Sequence, residues 1–202
     1  MAELVHPEVA DSAADLDRLV GLIRRLALAA VTHQGSAEAT AALADEVHRV
    51  ADLLEAAGVP LQTRYAGSAD GRYDPANLFV FDCVFGRFNP LALPVVPRWN
   101  DPIAEAEATF TPLFEGPPGG VHGAVMAACF DQMCNVANIG RGVAGFTVDL
   151  EVRYHRLTRV GQPVRFTARV ESVEGRRVVT QAEARQGDDV TASATGVFRA
   201  FE

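Results

Sequence analysis

The chain has 202 residues, 49% of them hydrophobic, and a formal net charge of −8; that suits one globular domain with an appendage or two small domains. Residues 1–109 hold 8 arginines against 16 acids while residues 110–202 hold 10 of each, a balance that argues against nucleic acid as a partner. Lysine is absent, which removes P-loop, Schiff-base and pyridoxal-phosphate chemistry.

Residues 12–33 read as an amphipathic helix. It opens on a Ser12-x-x-Asp15 capping box and puts Leu16, Leu19, Val20, Ile23, Leu26 and Ala27 on one face. A second helix follows, with Leu43, Val47, Val50 and Leu54 on one stripe and Gly58 with Pro60 as its stop. The first unit is therefore a helical hairpin over residues 1–60, packing on its own domain or on a second copy. Residues 61–78 form a polar linker or loop, and Leu78 to Phe81 a short buried strand. Pro90, Pro94 and Pro97 make residues 89–101 an extended connection.

A strand over residues 103–112 precedes a helix of about residues 121–138. Three further strand patterns run over about residues 164–171, 176–186 and 190–201. Ahead of them, residues 145–155 alternate, with Phe146, Val148, Leu150, Val152 and Tyr154 on one face and Thr147, Asp149, Glu151 and Arg153 on the other. One strand, one apolar helix and four consecutive strands amount to an α+β arrangement, an antiparallel sheet carrying a buried helix. Cys83, Cys129 and Cys134 are too sparse for a disulfide framework or a zinc site, so no metal or cofactor is expected. No apolar run nears the roughly 18 residues of a membrane span and the acidic start is unlike a secretory signal, so the expected location is cytoplasmic.

Chemistry concentrates between Phe114 and Asp131. Prolines 117 and 118 and glycines 116, 119, 120 and 123 build a rigid turn into the helix, where Gly123 and Ala124 present backbone N–H groups to a polarised carbonyl. Asp131 is the lone carboxylate of the apolar helix, suited to act as general base or as nucleophile. It lies eight residues beyond Gly123, roughly 12 Å along a helix axis. One carbonyl cannot reach both from a single chain, so joint action requires a site shared across a symmetric dimer. His122 is read as orienting the loop through a hydrogen bond, with catalysis as the alternative. Thr147 can position a water or the carboxylate, yet the alternation turns it away from the apolar face.

These residues resemble the hotdog-fold acyl-CoA thioesterases of the phenylacetate-pathway and THEM-like group, over about residues 79–202. Glu115-Gly116-Pro117-Pro118-Gly119 leading to His122-Gly123, with Asp131 nine residues after the histidine, is similar to that group's His-Gly-Gly helix start and catalytic acid. Ala124 stands in place of the second glycine. Thr147 matches the position of a catalytic Thr or Ser, and the segments around Arg156 and Arg176 resemble those near the coenzyme A cleft. The resemblance implies a hotdog sheet wrapped around a central helix with an N-terminal helical extension, a dimer or dimer of dimers, and cofactor-free hydrolysis of a fatty or aromatic acyl-CoA. It implies catalytic Gly123, Asp131, Thr147 and His122, with Gly120, Ala124, Arg156 and Arg176 toward the substrate. The alternative is an acyl-CoA or acyl-carrier binding protein that does not cleave its ligand, which the Ala124 methyl favours.

Overall fold

The computed structural model describes residues 12–57 and 80–201. The linker at 61–78, the Gly58 to Pro60 stop and the start of the strand expected at Leu78 lie outside the described residues. Helix α1, Ala13–Val31, begins at Ser12, whose side chain makes no capping bond although Asp15 occupies the first turn. Its stability comes from packing instead. Ala13 and Leu16 lie against Val80, Phe81 and Phe88, Val20 is buried, Asp17 pairs with Arg87, and Arg24 donates to the carbonyls of Asn89 at 2.7 Å and Gly86 at 3.3 Å.

Those partners belong to a folded loop that includes Val80 and Phe81, which lie in a turn and not in the expected strand. The Val80 carbonyl accepts the Phe88 N–H at 2.7 Å, and Asp82 Oδ1 accepts the N–H groups of Val84 and Phe85 at 2.8 and 2.9 Å. Backbone groups used in this way are not available to a sheet. Helix α2, Ala37–Ala57, buries none of its residues. It forms as a helix, but it does not close with α1 into a packed hairpin.

The remaining elements are β1 (Arg98–Asn100), β2 (Ile103–Thr109), α3 (Gly123–Gly140), β3 (Gly145–Tyr154), β4 (Pro163–Glu174), β5 (Arg177–Gln186) and β6 (Asp189–Ala200). The six strands pair antiparallel in the order β1-β2-β4-β5-β6-β3, which leaves β3 on an open edge. Helix α3 touches every strand, so the sheet wraps around it. A cross-strand row of small residues, Ala104, Ala168, Ala182 and Ala194, leaves room for the buried Met126, Phe130 and Met133 of the helix. Phe130, Phe166 and Phe110 stack edge to face across that core. One buried polar pin joins helix to sheet: the Thr180 hydroxyl donates to Asn138 Oδ1 at 2.5 Å. No helix among the described residues is long and apolar enough to cross a membrane.

Strand β3 departs from its expected alternation. Its pairing with β6 slips between Thr147 and Asp149, a β-bulge in which Val148 is the extra residue. Phe146 and Val148 are therefore 69% and 65% exposed, while Leu150 and Val152 pack on the core. The bulge changes which face is buried partway along the strand. Thr147 consequently lies on the helix side.

Candidate functional site at the helix start and the edge strand

The turn before α3 is closed by its own backbone. Gly120 donates to Pro117 O at 2.8 Å, Gly116 donates to Gly120 O at 2.9 Å, and Gly119, at φ +72°, donates to the Glu115 carboxylate at 2.8 Å. A Cβ on Gly120 would come within 2.3 Å of Leu157, so glycine is required there for packing. With both backbone groups engaged and the residue buried, Gly120 shapes the loop and offers a ligand no free N–H or carbonyl. Val121 and His122 donate to Thr158 O and Phe114 O at 2.8 and 2.9 Å, which ties the turn to its surroundings.

His122 is the N-cap of α3, and its Nδ1 accepts the Ala124 N–H at 3.0 Å. That geometry assigns the neutral ring proton to Nε2. The N–H groups of Val125 and Met126 converge on His122 O at 3.0 and 3.2 Å. The Gly123 N–H alone in this first turn has no partner among the described residues. It lies at the N-terminal end of the helix, where the macrodipole is positive. On the other side the Tyr154 hydroxyl donates to Gly123 O at 2.7 Å. The Gly123–Ala124 peptide is thus held at both ends, by Tyr154 on its carbonyl and by His122 on its N–H. Ala124, whose side chain is exposed, contributes no free donor.

Asp131 lies two turns along, half-buried, and one carboxylate oxygen accepts the Thr147 hydroxyl at 2.7 Å. Its other oxygen has no partner among the described residues. The adjacent Gln132 donates to Asp82 at 3.0 Å, which couples this part of α3 to the loop under α1. Burial, helped by the Asp131 charge, pushes the Cys134 thiol up to about 12, and burial raises Cys129 further. Neither is a nucleophile at neutral pH.

Helix and strand run in opposite directions. Gly123 is pinned beneath Tyr154 at the end of β3, and Asp131 beneath Thr147 near its start. One chain therefore separates the unpaired N–H from the carboxylate. The two arginines are separated as well. Arg156 hydrogen-bonds through its N–H to Thr191 O and lies 3.6 Å from Asp189, whereas Arg176 donates through Nε to Ala200 O at 2.9 Å. Thr191 and Ala200 stand at opposite ends of β6, roughly 30 Å apart at strand rise. Tyr154 carries no local sign of a site role in the sequence, because its contact with Gly123 joins positions 31 apart.

One antiparallel sheet wrapped on a single long helix, with a Gly–His turn at the helix start, defines a hotdog-fold domain. Residues 118–193 match the family model described as the thioesterase superfamily. A crystal structure of a thioesterase superfamily protein is similar over 91% of this chain and 94% of its own, at 34% identity and TM-score 0.79. That span extends beyond residues 79–202 into the N-terminal part. This chain belongs to the thioesterase superfamily. Acyl-coenzyme A thioesterase THEM4 of Xenopus laevis is 33% identical over 89 residues, 43% of this chain and 40% of its own length. The mouse (Mus musculus) THEM5 enzyme is 30% identical over 43% of this chain and 36% of its own. The chain thus spans about two-fifths of the length of these curated relatives. The E. coli PaaI protein, from the phenylacetic acid degradation operon, shares the fold at 17% identity and TM-score 0.51, over 55% of this chain and 81% of its own.

Proposed function

We propose that this chain hydrolyses the thioester of a fatty or aromatic acyl-CoA at a site shared by two copies. The observation that carries the reading is the crossed pinning of α3 to β3, Gly123 to Tyr154 and Asp131 to Thr147. Strand β3 is ten residues long with an unpaired edge, and such an edge is a template for a second strand. Antiparallel pairing of β3 with its own copy, about a two-fold axis near Leu150 and Glu151, brings Tyr154 of one chain beside Thr147 of the other. The unpaired Gly123 N–H then faces the Asp131 carboxylate of the second chain. The same operation brings Arg156 of one chain toward Arg176 of the other, at the mouth where coenzyme A phosphates would lie.

In this site the Gly123 N–H and the helix dipole polarise the thioester carbonyl. Asp131 takes a proton from water as the water oxygen adds to the carbonyl carbon. The tetrahedral oxyanion is held by Gly123 and collapses with loss of the coenzyme A thiolate, which is then protonated. The alternative step has Asp131 add directly, giving an anhydride that water then cleaves. Thr147 steadies the carboxylate, and His122 and Tyr154 hold the Gly123–Ala124 peptide that follows the donor N–H, which fixes Gly123 in place. Turnover of a panel of short, long and aromatic acyl-CoAs by the purified protein tests this. Hydrolysis that disappears in Asp131→Ala supports it; saturable binding without product points to the non-catalytic binder.

A further inference from the structure

Two aromatic rings at the start of β3 stay uncovered by the fold. Phe146 and Phe201 meet edge to face with ring centroids 4.7 Å apart, and both are more than half exposed, Phe201 at 54%. Their positions are fixed by backbone: Phe146 lies within β3, and the Phe201 N–H donates to Ala144 O at 2.9 Å. Rings held in this way offer planar apolar surface to a flat ligand.

The strand register places positive charge beside them. Phe146 stands directly opposite Arg199 on β6, and Arg199 directly opposite Arg177 on β5. The three side chains therefore form one row on the sheet face turned away from α3, with Cβ atoms roughly 5 Å apart from strand to strand. The adjoining row of Thr147, Phe198 and Val178 faces the helix. Both arginines are exposed, and neither guanidinium has an ion-pair or hydrogen-bond partner among the described residues. Glu174, opposite Arg177 at the hairpin, forms no ion pair with it. Like charges directly opposed on neighbouring strands disfavour the sheet, and a bound anion relieves that cost.

Flat aromatic surface beside paired guanidinium groups matches a purine base carrying phosphates. The base stacks on the exposed ring, and phosphate oxygens accept from the arginines. The patch also adjoins the mouth of the proposed site: Arg176 donates to Ala200 O, the residue before Phe201, and Phe146 precedes Thr147, the partner of Asp131. We infer that Phe146, Phe201, Arg199 and Arg177 bind the adenosine phosphate end of coenzyme A, so that this chain selects an acyl group carried on coenzyme A over the same group carried on pantetheine. The inference rests on the proposed function for the place of the thioester.

The test uses the full chain and reads binding separately from turnover. Calorimetric titrations with coenzyme A, pantetheine and ADP are run on the parent chain and on Phe201→Ala, Phe201→Trp and Arg199→Gln. Coenzyme A should bind more tightly than pantetheine or ADP. Phe201→Ala should weaken coenzyme A binding roughly five- to hundredfold, Arg199→Gln should weaken it about three- to tenfold, and Phe201→Trp should keep the parent affinity. Pantetheine binding should stay within about twofold throughout, since it carries no base to stack. In steady-state kinetics the same losses should appear in KM for acyl-CoA and not in kcat. Equal affinity for coenzyme A and pantetheine, or coenzyme A affinity indifferent to both Phe201→Ala and Arg199→Gln, would overturn the inference. ADP bound as tightly as coenzyme A would overturn it as well, by assigning the patch to free nucleotide. Nucleotide-dependent binding with these losses, in a chain that hydrolyses no acyl-CoA, would reject the proposed hydrolysis and leave this inference standing.

Discussion

At the residue scale the proposed chemistry rests on Asp131 and the Gly123 N–H, with the Gly123–Ala124 peptide held by Tyr154 and His122. Asp131→Asn keeps an oxygen able to accept from Thr147 but cannot take a proton. Its kcat on the best acyl-CoA should fall about 10²- to 10⁴-fold, with KM little changed, in steady-state kinetics. Tyr154→Phe removes only the hydroxyl that holds Gly123 O; a loss of one such bond, about 1 kcal/mol, corresponds to a roughly five- to tenfold lower kcat. The thermal midpoint should move by only a few degrees, because the ring is largely exposed; a large fall in midpoint with unchanged kcat would assign Tyr154 to stability alone. The thiols give a check independent of activity. In the native protein one cysteine, Cys83, should react with a thiol reagent at neutral pH, and all three after denaturation. Because the Cys134 thiol lies at about 12 when folded against an ordinary 9.0, its contribution to stability is complete below pH 9 and is lost as pH rises toward 12. Unfolding midpoints measured across that window should decline.

At the element scale, Thr147 depends on a bulge in β3. A strict two-residue period would turn Thr147 away from α3, whereas the extra residue at Val148 lets both Thr147 and the pair Leu150 and Val152 lie on the inner side. Thr147→Val should lower kcat roughly tenfold by releasing the Asp131 carboxylate, and Thr147→Ser should retain most of the activity; equal losses would mean that the hydroxyl has no special role. The bulge was not legible in the sequence, because Phe146, Val148, Leu150 and Val152 are apolar in unbroken alternation and no glycine or proline marks the slip. Helix α3 was legible, since an apolar run follows a proline- and glycine-rich turn, and the candidate site was found through the isolated acid within it. Val80 and Phe81 misled for the opposite reason: apolar residues in a short run fit a strand, but long-range contacts with α1 and local turns decided their conformation. The α2 stripe was legible too, and the structure leaves it exposed.

At the scale of the whole molecule, the proposed catalytic site draws on two chains. Placing charge on the exposed part of the edge strand, as in Val148→Arg with Phe146→Asp, should weaken self-association in sedimentation and reduce turnover with it. The more direct measurement pairs two inactive variants. Gly123→Pro deletes the unpaired N–H at the first helical position, where proline is tolerated. It also follows His122 at φ −61° and ψ 135°, a conformation that accepts a following proline. Asp131→Ala deletes the carboxylate. Each homodimer alone should be inactive, but in a mixed dimer isolated through two tags one site joins an intact Gly123 to an intact Asp131. That mixed dimer should regain about half of the parent kcat, as two-fold symmetry with one restored site requires; a mixed dimer as inactive as its parents would contradict a shared site.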